Sequence, residues 1–217
     1  SARRYQELNH LEEALRSRLT LSAILYERGD FVAALAAISQ VPRAALTAMP
    51  SERRAGIAFN AALFLCELGE SRRAAMVLRR AKPFLDEVAG SSLRLQVQRL
   101  EAKLLEAVGR WSEAVTALEA IQAEYRQADR PFDAALIGMD IVGTLAAQGA
   151  WSRIASITPA IVKTFWQYDL PNEVREALEH FERATAALRA TREMVQNLQT
   201  ALHPVRASAR PPRRLDS

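Results

Sequence analysis

Four of the chain's eight glycines stand at positions 29, 69, 109 and 149, forty residues apart each time. A fixed period of this size is the mark of a repeat architecture, in which one supersecondary unit is stacked several times. The segments around the glycines align: Gly29-Asp-Phe-Val-Ala-Ala34, Gly69-Glu-Ser-Arg-Arg-Ala74, Gly109-Arg-Trp-Ser-Glu-Ala114 and Gly149-Ala-Trp-Ser-Arg-Ile154. Apolar residues recur at helical spacing on both sides. Before Gly109 they are Leu93, Val97, Leu100, Leu104 and Leu105; after it they are Trp111, Ala114, Val115, Leu118 and Ile121. Each glycine therefore reads as the left-handed residue that ends one helix and turns the chain into the next.

The rest of the sequence agrees. Ala and Leu, both strong helix formers, make up 67 of the 217 residues. This composition argues for an all-α protein and against a β-sandwich, a dinucleotide-binding α/β unit or a disulfide scaffold. Pro50, Pro131 and Pro171 mark the connections between one hairpin and the next, with Ser51, Ser91 or Ser92, and Asn172 as N-cap candidates. The expected map has hairpins over about 5–47, 51–88, 92–128 and 133–168, then a terminal helix over about 172–203. Residues 204–217, rich in Pro and Arg, are expected to be a disordered basic tail.

Within a hairpin, seven residues before each glycine sit Ser22, Ala62, Ala102 and Val142, and five after it sit Ala34, Ala74, Ala114 and Ile154. Small side chains at those places let the two helices approach closely. Two residues after the glycine come Phe31, Ser71, Trp111 and Trp151, whose rings suit covering the turn.

Small crossing residues, a turn glycine and an aromatic just beyond it resemble the tetratricopeptide repeat (TPR) family over residues 16–170. The departures are a period of 40 instead of 34, no family proline at the end of the second helix, and bulky Val142 and Ile154 at the fourth crossing. The long period resembles the TPR arrays of bacterial regulatory and signalling proteins, as does the stretch from Phe132 through Gly149 with Phe165 and Glu173 to Leu178. The resemblance implies a right-handed α-solenoid of about four helical hairpins with a C-terminal capping helix. It also implies a concave groove lined by the first helix of each hairpin.

Mapped onto this chain, the groove positions include Arg16, Leu19, Ala23 and Tyr26, then Gly56, Phe59, Asn60, Leu63 and Cys66. Gln96, Arg99, Lys103 and Glu106 follow, then Leu136, Met139, Gly143 and Ala146. Of these, Arg16, Tyr26, Phe59, Asn60, Arg99, Lys103 and Met139 are the expected partner-binding residues, with Tyr26 and Phe59 as exposed aromatic anchors. The family's clamp for a C-terminal carboxylate is not expected: only Asn60 matches it, while Leu19, Gln96 and Leu100 replace its basic residues.

Nothing in the sequence asks for catalysis, a cofactor or a metal. His10, His180 and His203 are far apart, Glu176 and His180 alone are too few for zinc, and no phosphate loop or nucleophile motif occurs. Asp133 and Asp140 share a helix face, with Asp133 placed to complement the helix N-terminus. Cys66 has no His or Arg beside it in sequence and reads as an inert thiol; as the lone cysteine it fits a reducing compartment, so a cytoplasmic location is expected. No apolar run approaches the length of a membrane span. The chain starts on Ser1 without Met or a signal-peptide core, as expected for a piece of a longer protein.

The net charge is +4, of which +3 lies in residues 201–217 through Arg206, Arg210, Arg213 and Arg214 against Asp216. A near-neutral body with a basic tail makes a nucleic-acid role through that tail the alternative reading. Val174, Phe181, Leu188, Val195 and Leu202 recur every seven residues. The first half of that stripe suits capping the array; Val195, Leu198 and Leu202 suit a second chain, so a homodimer through the C-terminal helix is a further expectation. The overall expectation is a non-catalytic protein-interaction scaffold.

Overall fold

A computed structural model describes residues 2–41, 46, 49–88, 90–186, 190–207 and 212. Among the described residues there are ten helices and no strand. They are α1 (Ala2–Glu27), α2 (Phe31–Ser39), α3 (Ser51–Glu67), α4 (Ser71–Val88), α5 (Ser91–Ala107), α6 (Trp111–Gln127), α7 (Pro131–Ala147), α8 (Trp151–Phe165), α9 (Asn172–Ala186) and α10 (Arg192–Ala207). The chain divides into two compact units, Ser1–Leu104 and Leu105–Ser217.

The four glycines stand at the expected turns, with φ of 76°, 76°, 79° and 71°. Each closes the same pair of backbone hydrogen bonds. At the first turn the amide of Gly29 donates to the carbonyl of Tyr26 at 2.9 Å and that of Asp30 to Leu25 at 2.9 Å. The other three repeat the pattern, Glu70 reaching Leu65, Arg110 reaching Leu105 and Ala150 reaching Leu145. This double bond is the Schellman motif, which satisfies carbonyls that a helix end leaves open. The next helix starts at once: the carbonyl of the residue after each glycine accepts its first helical bond, and the Asp30 side chain also accepts the amide of Ala33 at 3.0 Å.

In unit one the core forms two clusters. Leu15, Ala34, Ile38, Ile57 and Phe64 join α1, α2 and α3; Ala55, Phe59, Ala62, Leu78, Leu85 and Leu100 join α3, α4 and α5. The crossing residues Ser22, Ala34, Ala62, Ala74, Ala102, Ala114, Val142 and Ile154 are all fully buried, as the repeat register requires. Helix α2 stops at Ser39, short of the expected residue 47. Pro42 disfavours the helical region at the residue before it, Val41. Residues 42–45, 47 and 48 lie outside the described residues.

Unit two is built around α7. Phe132, Ala134 through Val142, and Thr144 through Ala146 are all buried. A helix apolar on every side must be enclosed on every side. Helices α6, α8 and α10 pack against it. Phe132 meets Phe165 edge-on at 5.6 Å and Tyr168 at 4.8 Å, closing the α7–α8 end.

The C-terminal region departs from expectation. In place of one helix over 172–203 there are two, α9 and α10. Thr191 is not helical; its hydroxyl accepts the amide of Met194 at 3.3 Å and caps the start of α10. Helix α9 packs on α8, as expected of a cap, whereas α10 doubles back onto α7. Residues 204–207, expected in the disordered tail, are helical, with Pro204 inside the helix. Of the remaining tail, residues 208–211 and 213–217 lie outside the described residues.

Candidate functional site

The seven expected groove residues are not all surface. Phe59 is only 7% exposed and sits among Ala55, Ala62, Leu78, Ala81, Leu85 and Leu100, so it is a core residue of unit one and not an exposed anchor. Met139 is 0% exposed inside α7. Both lie on the apolar side of a helix that carries neighbours on more than one side, which an aligned repeat position does not reveal.

The other positions retain accessible surface. Tyr26 is half-buried, its ring 5.4 Å from Phe64 and 5.7 Å from Phe31. It packs with Leu63 against the first cluster, and Leu63 also touches the second. Four residues after Leu63 on α3, Glu67 accepts from Nζ of Lys103 at 2.7 Å. Arg99 lies one turn before Lys103 on α5, half-buried like Asn60, while Arg16 is exposed. Tyr26, Leu63, Glu67 and Lys103 thus form a broken patch from α1 over α3 to α5. Lys103 is 27% exposed at its side chain and already ion-paired, so it offers less positive charge than a bare lysine.

A second constellation, in unit two, was only partly legible. Helix α10 lies antiparallel on α7. Nε2 of Gln199 donates to the carbonyl of Met139 at 3.1 Å. The Arg206 guanidinium bridges α7, Nη1 donating to Asp140 Oδ1 at 2.7 Å and Nη2 to the carbonyl of Leu136 at 2.8 Å. The pair is well buried, with side chains 14% and 7% exposed. On the same helix Val195, Leu198 and Leu202 are buried. A Cβ at Gly143 would collide with the Gln199 amide, so the glycine makes room for that side chain. The Thr144 hydroxyl stands between the Asp140 carbonyl, 3.0 Å away, and the Glu106 carboxylate.

This corrects two expectations. Val195, Leu198 and Leu202 are buried within the chain itself, where α10 packs on both α7 and α9, and are not offered to a second copy. Arg206 belongs to a buried ion pair and not to a free basic tail. The signal was present at Asp140: a carboxylate flanked by Ile137, Gly138, Met139, Ile141 and Val142 needs a cationic partner once that stretch is enclosed. The sequence did not say which arginine supplies it, because the partner is 66 residues away.

Among the described residues no group of three or more His, Cys, Asp or Glu is placed to hold a metal ion. No described helix is long and apolar enough to cross a membrane. No protein-family model, curated protein or solved structure matches the chain.

Proposed function

We propose that the protein is a non-catalytic interaction scaffold. In this reading its hairpins stack as a right-handed α-solenoid of the TPR kind, and a peptide or protein segment binds the patch around Tyr26, Leu63, Asn60, Arg99 and Lys103. It serves as the interaction part of a bacterial regulatory protein. The observation that carries this reading is the recurrence of one turn, with the same glycine geometry and the same fully buried crossing residues, at a forty-residue period. Repeats of this type spend their buried positions on stacking and leave the outward positions for recognition.

The test is capture by the full-length chain, compared with Tyr26→Ala and Arg99→Glu. A specific protein retained by the parent and lost by both folded variants supports the patch. A capture profile identical in all three removes it. The nucleic-acid alternative is weakened because Arg206 is committed to Asp140. Anisotropy of a labelled DNA duplex decides it: tail-driven binding must appear at low salt and collapse steeply as salt rises.

A further inference from the structure

We propose that the outer face of α4 binds duplex DNA, lying in the major groove and pairing its free arginines with backbone phosphates. The site shares no residue with the patch around Tyr26, and it moves nucleic-acid contact from the tail to a folded helix. Charge is unevenly shared along the chain. Residues 1–104 hold 16 basic and 11 acidic side chains, a net +5, whereas residues 105–217 hold 13 and 14, a net −1. Most of the first surplus lies in α4, where Arg72, Arg73, Arg79, Arg80 and Lys82 stand against Asp86 and Glu87, a net +3. All five basic residues are exposed.

Other surface cations of the chain are answered by a nearby carboxylate. Arg110 pairs with Glu113 and Arg130 with Asp133; on α4 itself Arg73 pairs with Glu70, and Lys82 with Glu101. Arg72, Arg79 and Arg80 differ. None of these three side chains has an ion-pair or hydrogen-bond partner among the described residues, and no carboxylate stands three or four residues from any of them. The order of charge along α4 also opposes the helix dipole. Arg72 and Arg73 crowd its positive N-terminal end, while Asp86 and Glu87 sit at its negative C-terminal end. The arrangement works against the helix. It also concentrates positive potential over the first half of α4, where the N-terminus already favours a phosphate.

Shape selects among anionic partners. Helix α4 buries one narrow stripe, Ala74, Leu78, Ala81 and Leu85. Its exposed residues run without a gap from Lys82 round to Phe84, about 200° of the circumference at 3.6 residues per turn. A helix this far out of its core presents a ridge, and a ridge has no walls between which an acidic peptide can bury side chains. A helix with its side chains is about 10–12 Å across, and the major groove of B-form DNA, about 12 Å wide, admits it. Arg72 and Arg80 lie about 12 Å apart along the axis, so the three free arginines spread over two turns. Arginine's planar fork matches phosphate oxygens in pairs, which suits it to this contact.

The experiment follows the anisotropy of a fluorescein-labelled, mixed-sequence DNA duplex of about 20 base pairs with the full-length chain, as salt rises from about 25 to about 200 mM. Three neutralised phosphates should make the logarithm of the binding constant fall against that of salt with a slope of about −3. The triple variant Arg72→Ser, Arg79→Ser and Arg80→Ser should bind at least about tenfold more weakly at low salt, and Arg79→Ser alone should lower the slope by about 1. Changing Arg210, Arg213 and Arg214 to Ser should alter affinity by less than about twofold, because the tail is not the site. The triple α4 variant should melt no lower than the parent, since it removes a cation from a helix N-terminus. An RNA duplex, whose major groove is too narrow for a helix, should bind at least about tenfold more weakly than DNA. Three results overturn the proposal: no duplex binding at low salt, a loss that follows the tail variant and spares the α4 variants, or equal affinity for RNA. Displacement of the duplex by polyglutamate as effectively as by unlabelled DNA of equal charge would also overturn it, giving the face to an acidic protein.

Discussion

The amide of Arg130 donates to the carbonyl of Tyr125 at 2.9 Å, closing around Asp129 the same loop that glycine closes at four other places. Asp129 has φ of 53° and is the one non-glycine residue with positive φ among the described residues. Aspartate is one of the few side chains that visits this region, because its short polar group bonds locally. The connection between α6 and α7 therefore has the geometry found within hairpins, although it lies between two of them.

The turn glycines give the plainest stability test. Nothing lies within 4 Å of a Cβ built on Gly69, so Gly69→Ala meets strain in the backbone alone. It should destabilise by roughly 1–2 kcal/mol. Asp129→Gly should move the other way, by under about 1 kcal/mol. Denaturant unfolding of both variants checks the pair, and an unchanged midpoint for Gly69→Ala would argue against a left-handed residue there.

At the crossings, Ala62 and Ala114 are fully enclosed. Ala62→Leu or Ala114→Leu forces three extra carbons into a packed site and should cost about 1–3 kcal/mol. Thermal unfolding is the readout; two variants as stable as the parent would place these residues at the surface.

Gly138 sits in the middle of α7, where alanine would ordinarily favour a helix. Here a Cβ would lie 2.8 Å from Nε2 of Gln122 and 2.8 Å from Cδ1 of Ile161. Gln122 is itself held, donating to the carbonyl of Ala134 at 2.9 Å. Gly138→Ala should therefore destabilise by about 1–2 kcal/mol, overpacking outweighing propensity. Ile161→Val in that background should restore part of the loss, a coupling that a double-mutant cycle measures.

On the surface of α6, Arg110 holds the Glu113 carboxyl below its ordinary range, chiefly through the hydrogen bond it gives and further through its charge. A carboxyl lowered in the folded state stabilises above its unfolded pKa, and that contribution fades as pH falls through the folded value. Carboxyl-detected NMR should show Glu113 titrating at higher pH in Arg110→Gln than in the parent. Equal midpoints would mean the exposed pair does not persist in solution.

The turns and crossings were legible because each rests on one local requirement repeated four times: a left-handed residue, or a side chain small enough for close approach. The exposure of Phe59 was not, since a helix between two others has two inner faces and the alignment of Phe59 with groove positions names only one. Asp129 escaped for a different reason. It meets the glycine requirement with a side chain, and a period built on glycine passes over it. The split at Thr191 was concealed by the seven-residue apolar stripe, which runs through the break without a change of phase. Pro204, read as a stop, lies inside α10, where the residues beyond it are held by Arg206 on Asp140.

The notch at Gly143 also sets a rule for how sequences of this kind can drift. The volume that a side chain would fill there is already taken by Gln199, 56 positions later, and the charge at Asp140 is answered at Arg206. In a descendant chain, the two members of each pair are free to change only in step. A relative that has gained a side chain at the first position should show a shorter residue at the second. One that has lost the carboxylate should have lost the arginine as well. Such paired changes would mark kinship even where the surrounding residues have diverged beyond alignment.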